Sequence, residues 1–200
     1  MGRLLFIVGI FTLAISCKKN KVMYVEESTT RSSEEKQLDS LAYELCTIYG
    51  FDQGVRDWSV YGEIDVRTIK KIDSLNFVKL VGIIEKFGYP SRRIFGENFK
   101  INHECVIMGS ASVMLHNPQR VVNDEYVFNL FLNEVNKGNL HRTFFADILD
   151  KYYWSKSKGE RVMYGSQFGV PCIATKEETN RLRQEIGLEP LNDDEFKECD

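Results

Sequence analysis

The sequence predicts a mainly α-helical protein: a single domain of about five to six helices, with an irregular loop or short strands near residues 159–174. Three observations predict this class. Apolar residues recur three and four positions apart over most of the chain after residue 33. Capping signals and Gly or Pro stops bound these stretches. Hydrophobic residues make up 43% of the 200 residues, which is enough for one core, so we expect one folded domain over residues 34–200.

Six helices are expected after residue 33. Ser32 and Glu35 form a capping box that predicts the start of the first helix, and Gly50 is expected to end or bend it. Residues 51–58 are expected to continue this helix or to start another one. A second capping box, Thr175 with Glu178, predicts the start of the last helix, which closes at Gly187. The four helices between them are expected over residues 65–87, 102–116, 123–136 and 140–154, each ended by a helix-breaking pair or by loss of the period.

Charge is nearly balanced along the chain. The 26 basic and 29 acidic residues give a formal net charge of −3. This balance gives no excess of positive charge for capturing a polyanion, so we expect no nucleic-acid partner. The composition also excludes a disordered chain and a polytopic membrane protein.

The N-terminal residues have the features of an export signal. Arg3 precedes a twelve-residue apolar run, residues 4–15, which as a helix would be only about 18 Å long. That is too short to span a bilayer core of about 30 Å. A basic residue, a short apolar run and small residues after it are typical of a signal peptide. A shallow anchor helix is the less favoured alternative.

Cys17 follows Ala14-Ile15-Ser16, and this run resembles the lipobox of bacterial lipoproteins. The resemblance implies a signal peptide over residues 1–16 and a cysteine that is acylated and becomes the mature N-terminus. Residues 17–33 would then be a lipidated, flexible tether. The alternative is a plain secretory signal with a chance cysteine. Two or more acyl chains hold a protein stably on a membrane, so the expected partner of Cys17 is a membrane of the cell envelope. Lys18, in place of the usual retention aspartate, favours the outer membrane.

Four further cysteines lie in the expected domain: Cys46, Cys105, Cys172 and Cys199. They allow three pairings, and an exported protein permits disulfides. Their spacing matches no disulfide framework, and a domain of this size does not need cross-links to fold. We therefore expect mostly free or buried thiols. The chain has no CxxC or HExxH motif and only three histidines, so we expect no metal site and no cofactor.

Polar residues interrupt two of the apolar helix faces. Asp73 and Asn76 fall on the apolar stripe of the helix predicted over 65–87, and Asp52 falls on the continued stripe of the first helix. Arg56 stands four residues after Asp52, the favourable order for an ion pair. A buried carboxylate must be paired, so the pattern predicts that these side chains meet in one inter-helical polar cluster. The cluster is either a structural network or part of a ligand pocket.

The motifs together resemble a family of uncharacterised bacterial proteins classed as a domain of unknown function. The family pattern is D-Q-x-x-R, Y-G-[WY]-P, Q-H and Y-G-[ST]-Q. The matching segments are Asp52-Gln53-x-x-Arg56, Phe87-Gly88-Tyr89-Pro90, His116 and Tyr164-Gly165-Ser166-Gln167. Leu115 replaces the glutamine of the Q-H pair, and Asp150-Lys151 with Arg161 only loosely matches the Asp-Arg that usually precedes the last motif. Membership implies no particular activity.

The candidate site combines both arguments. It comprises Asp52, Gln53, Arg56, Asp73, Asn76, His116, Tyr164 and Gln167. The favoured function is a ligand- or protein-binding lipoprotein, whose partner is a small ligand or another envelope protein. The alternative is a cell-envelope hydrolase that uses Asp52, Asp73 and His116, with Arg56 and Gln167 stabilising negative charge. The hydrolase requires these side chains to line one open cleft within about 6 Å of each other.

Overall fold

The capping box of Ser32 and Glu35 opens the first helix in the computed structural model of the chain, which describes residues 32–57, 62–96 and 103–199. Both hydrogen bonds of the box are present, so this prediction is confirmed. Cys17, the predicted signal peptide over residues 1–16 and most of the predicted tether over 17–33 lie outside the described residues. The last two residues of the tether, Ser32 and Ser33, belong to the start of the first helix. Gly50 does not end the first helix, because the helix continues to Gly54.

The mainly α fold class is confirmed. The described helices are α1 (Ser33–Gly54), α2 (Val66–Phe87), α3 (Arg92–Phe95), α4 (Glu104–His116), α5 (Pro118–Asn123), α6 (Glu125–Asn136), α7 (Arg142–Lys156) and α8 (Lys176–Glu185). All six predicted helices are present. The short helices α3 and α5 were not predicted, because four to six residues carry no recognisable apolar period.

The segment over residues 159–174 is an irregular loop. Among the described residues its only strand-like feature is an isolated parallel bridge between Cys172 and Lys197. The predicted capping box at the start of α8 is wrong. Thr175 makes no side-chain cap, because its hydroxyl donates to the carbonyl oxygen of Cys172 instead.

The core forms where α1, α2, α4, α6 and α7 pack together, and its largest fully buried side chains include Phe77, Phe131 and Phe145. α1 packs most extensively against α4. At their crossing, a Cβ atom on Gly109 would lie 2.6 Å from the carbonyl oxygen of Leu45. Only glycine permits this close approach, which brings the two helix backbones together.

The expectation of mostly free thiols is wrong. Cys46 on α1 is bonded to Cys105 on α4, with 4.6 Å between their Cα atoms. Cys172 is bonded to Cys199, with 5.6 Å between their Cα atoms. Both Cα distances are usual for a disulfide. Cysteine spacing and domain size do not determine disulfide pairing. Pairing depends on which segments the tertiary fold brings together.

Within residues 32–57, 62–96 and 103–199, no helix combines the length and the apolar character needed to cross a bilayer.

Candidate functional site

The last turn of α1 carries the first half of the site. Asp52 continues the apolar face of Leu41, Leu45 and Ile48 and is fully buried. Arg56 lies just after the helix, where its Nη1 donates to the backbone oxygen of Asp52 at 2.8 Å and to its Oδ1 at 3.4 Å. The structure thus contains the ion pair that the spacing of these two residues predicts.

Arg56 also joins α1 to α2. Its Nη2 donates to both carboxylate oxygens of Asp73, at 2.7 and 2.8 Å. The side chain of Asp73 is 13% exposed and that of Arg56 is 22% exposed. One guanidinium therefore links two acidic groups on neighbouring helices, in the charge-assisted geometry that makes arginine–carboxylate pairs strong.

His116, the last residue of α4, completes the network. Its Nδ1 lies 2.8 Å from Oδ1 of Asp52, and Nε2 of Gln53 donates to the other oxygen of that carboxylate at 2.7 Å. An ionised carboxylate only accepts hydrogen bonds, so the proton lies on Nδ1 of His116. This bond fixes the orientation of the imidazole and leaves Nε2 as the ring nitrogen that Asp52 does not contact. We call Asp52, Gln53, Arg56, Asp73 and His116 the polar cluster.

Two asparagines support the polar cluster without bonding to its carboxylates. Asn76 is buried on α2, and its side-chain amide donates to the carbonyl oxygen of Ile48 at 3.3 Å. Asn117 follows His116, and its amide donates to the carbonyl oxygens of Asp73 and Val113. The sequence argument read Asn117 only as part of a helix stop. Its buried amide ties the turn after α4 to α2, directly beside His116.

Tyr164 and Gln167 lie in a different environment. Their backbone N–H groups donate to Asp150 and Asp147 of α7 respectively, and no hydrogen bond in the described part of the chain joins either residue to the polar cluster. The eight candidate residues therefore divide between two places. Five form the polar cluster, Asn76 lies beside it, and the Y-G-S-Q segment is organised by α7.

Asp150 is the residue that organises this segment, and it was not among the candidates. Fully buried, it accepts hydrogen bonds from the backbone N–H groups of Met163, Tyr164 and Ser166. Burial raises the pKa of its carboxyl, and these hydrogen bonds only partly oppose that rise. The available signal was an aspartate directly after the apolar pair Ile148-Leu149 on α7.

The polar cluster also contains the atoms of a possible metal site. One ligand atom from each of Asp52, Asp73 and His116 lies within 4.8 Å of the others. However, Arg56 is bonded to both carboxylates, and Nδ1 of the histidine is bonded to Asp52. A cation would have to displace the guanidinium from both acids. The geometry therefore fits an ion-pair network, with one guanidinium shared by two carboxylates, better than a metal centre.

A pocket of about 440 Å³ opens at the exposed side of the polar cluster. Its polar lining consists of Arg56, His116, Gln119, Lys151, Tyr152, Ser155 and Lys156, and its apolar lining of Leu115 and Pro118. The first two residues belong to the polar cluster, and four of the others are on α7. Among the residues that the structure describes, no acidic side chain lines this space, which we call the cationic pocket.

Aromatic rings hold the two lysines of the cationic pocket in place. The ammonium of Lys151 lies 4.8 Å from the ring centroid of Trp154 and 5.1 Å from that of Phe168. Lys156 donates to the hydroxyl of Tyr152 at 3.3 Å and lies over the same ring. Neither lysine makes a salt bridge with an acidic residue in the described ranges. Their charges are positioned but not neutralised by a carboxylate.

No family model, curated protein or solved structure matches this chain. The resemblance to the family with the D-Q-x-x-R and Y-G-[ST]-Q motifs therefore stays a prediction. The structure gives these motifs local roles. The first supplies three of the five residues of the polar cluster. Gly165 of the last adopts φ +64°, where a Cβ atom would lie 2.9 Å from Leu191.

Proposed function

We propose that this chain is a membrane-anchored lipoprotein of the bacterial cell envelope whose helical domain binds a small anionic ligand in the cationic pocket. The observation that carries the proposal is the charge of the lining. The pocket presents the ammonium groups of Lys151 and Lys156 beside the already paired Arg56, and the described residues of its lining include no carboxylate. Hydroxyl groups of Tyr152 and Ser155 add neutral donors to the same space.

The acids of the polar cluster support this site from behind. Asp52 is sealed from solvent, and Asp73 is paired with both oxygens to Arg56. Their role in the proposal is to hold Arg56 and His116 in position at the pocket wall. The wall stays positive because the lysines of α7 add charge that no described salt bridge cancels.

The anchoring part of the proposal rests on Cys17. Acylation at this residue would hold the domain at a membrane of the cell envelope, with the outer membrane favoured. A Cys17→Ser variant should move from the membrane fraction to the soluble extract after cell fractionation. Recovery of that variant in the membrane fraction would overturn the lipid anchor, and it would leave the ligand site untouched.

Titration calorimetry with inorganic phosphate tests the ligand site directly. We expect saturable binding at low ionic strength that weakens with added salt, since the contacts are between charges. Lys156→Gln and Lys151→Gln should each weaken binding by about tenfold or more, because each removes one positive charge from the lining. Lys79→Gln, on the exposed face of α2, is the matched control and should bind as the wild type does. Equal affinities in all four proteins would overturn the proposal.

The hydrolase is the second candidate, and one observation favours it. The buried Asp52 orients His116 through Nδ1, and His116 lines the pocket, so its Nε2 could act as a general base on a bound ligand. The hydrolase requires its side chains to line one open cleft, and only some of them do. Asp52 is buried away from solvent, and the backbone of Gln167 is bonded to Asp147. Turnover of p-nitrophenyl acetate or p-nitrophenyl phosphate that disappears in His116→Gln would favour the enzyme. Phosphate binding with no turnover of either substrate would favour the binding protein.

A further inference from the structure

A second cavity continues the cationic pocket along the same pair of helices. It has a volume of about 450 Å³, and its apolar lining includes Ile107, Met108, Ala111, Leu115, Leu140 and Phe144. Polar side chains, among them Arg92 and His141, line the rest of its wall. Leu115 lines both cavities. We call this second space the apolar groove.

The two cavities follow the same order along both helices. On α4 the apolar groove is lined by residues between 107 and 115, and the cationic pocket is lined by Leu115 and His116. On α7 the groove is lined by Phe144 near the start of the helix, and the pocket is lined by residues between 151 and 156 near its end. Because Leu115 lines both spaces, they adjoin beside α4, and we call them together the furrow. Its other walls include α7 and the segments at residues 89–92 and 139–141. From Met108 to His116 it extends for about 12 Å, at about 1.5 Å per helical residue.

The apolar half of the furrow exposes side chains that a soluble domain normally buries. Ile107 is 48% exposed and Met108 is 37% exposed, and they stand side by side on α4. Contiguous exposed apolar surface beside a polar rim is typical of a binding site. Here the rim on one side is the cationic pocket, so an apolar occupant of the groove would have a positive environment at one end.

We infer that the ligand of the cationic pocket is a single-chain amphiphile with a phosphate headgroup, whose alkyl chain lies in the apolar groove. This inference rests on the proposed function and names its ligand class. The chemical class of the headgroup follows from the charged groups of the cationic pocket that are not already paired. In the cationic pocket Arg56 is already paired with Asp73, so the charges that no described salt bridge neutralises there are the ammonium groups of Lys151 and Lys156, whereas Arg92 lies on the wall of the apolar groove. The ammonium groups act as point charges that suit a tetrahedral phosphate, whereas an arginine fork would suit a planar carboxylate.

A homologous series of alkyl phosphates tests the inference on the intact folded protein. Binding of inorganic phosphate, hexyl phosphate and decyl phosphate is measured by calorimetry, with each amphiphile kept below its micellar concentration. Each methylene that enters the groove should tighten binding by about fourfold. We therefore expect decyl phosphate to bind at least tenfold more tightly than hexyl phosphate, and both to bind more tightly than inorganic phosphate.

Two variants separate the head from the tail. Ile107→Glu places a charge in the apolar groove and should weaken decyl phosphate by about tenfold or more, while inorganic phosphate binds unchanged. Lys156→Gln should weaken all three ligands. Val78→Glu is the matched control for the first variant, because Val78 is an apolar residue on α2 that is about half exposed, as Ile107 is. It should bind every ligand as the wild type does.

The outcomes distinguish this inference from the proposed function. If inorganic phosphate binds and alkyl chains add nothing, the amphiphile is overturned and the anion site stands. A different result is that affinity rises with chain length, but Lys156→Gln binds the alkyl phosphates as tightly as the wild type and inorganic phosphate does not bind. In that case the cationic pocket is not the head site, and the inference is overturned. Binding to phosphatidylglycerol vesicles is measured in parallel. If the protein binds only these vesicles and no monomeric alkyl phosphate, the furrow docks on a membrane surface and the inference is overturned.

Discussion

Nδ1 of His116 lies 2.8 Å from Oδ1 of Asp52, and this bond connects the end of α4 to the end of α1. The carboxylate is fully buried, whereas the imidazole is 28% exposed. One member of the pair therefore lies in the buried interior, and the other lies in the wall of an open pocket. A buried acid fixes the orientation of a surface ring, and that ring is the only member of the pair that a ligand can reach.

The polar cluster should contribute to stability through its buried acids. Asp52→Ala removes the partner of both His116 and Arg56, and we expect it to lower the free energy of unfolding by about 2–5 kcal/mol. Asp73→Ala should have an effect in the same range. Denaturant unfolding followed by circular dichroism measures both.

Arg181→Ala is the matched control for these variants. It breaks a surface ion pair with Glu185 in which both side chains are more than half exposed, so it should cost less than about 1 kcal/mol. Unfolding curves for Asp52→Ala and Asp73→Ala that coincide with the wild type would show that the cluster does not support the fold.

Gly88 should tolerate no side chain. Its φ is +83°, and a Cβ atom would lie 3.0 Å from Oε2 of Glu134, the oxygen that accepts the backbone N–H of Tyr89. Gly88→Ala should therefore destabilise the protein by about 1–3 kcal/mol. Gly82→Ala, in the interior of α2 with open space around it, should instead stabilise by about 0.5–1 kcal/mol. The melting temperatures of the two variants should move in opposite directions.

Glu134 should make stability depend on acid pH. Burial raises the pKa of its carboxyl, but hydrogen bonds from Lys137, Asn139 and the backbone of Tyr89 outweigh that effect and lower it. A carboxyl with a lowered pKa stabilises the fold above about pH 4.3, and this contribution is lost as the pH falls through the folded-state pKa.

The unfolding free energy of the wild type should therefore fall more steeply below about pH 4.3 than that of Glu134→Gln, measured by urea unfolding across this range. Glu185→Gln changes an exposed carboxyl and serves as the control, with an acid slope like that of the wild type. Parallel slopes for wild type and Glu134→Gln would contradict the assignment.

The disulfide between α1 and α4 should stabilise the domain. It closes a separation of 59 residues, for which the chain-entropy model gives about 4 kcal/mol. Replacing Cys46 and Cys105 together by serine should lower the free energy of unfolding by about 2–4 kcal/mol. Adding a reductant should then destabilise the wild type more than this double variant. No free thiol should react with a thiol reagent in the folded domain of residues 32–199; two or more reactive thiols would contradict the pairing.

The sequence was sufficient for the helical class and for the inward position of Asp52. Both follow from local periodicity, since apolar residues at three- and four-residue spacing define one face of a helix and Asp52 continues that face. The same reasoning gave the Asp52–Arg56 pair, because residues four apart on a helix are neighbours whatever the rest of the fold does.

Only the tertiary structure decided which helices meet. Local spacing contains no information on the partner of Cys46, on the bond between His116 and Asp52, or on the separation of Tyr164 and Gln167 from the polar cluster. Each of these depends on contacts between segments far apart in sequence, which packing of the whole core selects. The furrow beside α4 has the same origin, because its walls come from helices and segments that share no local pattern.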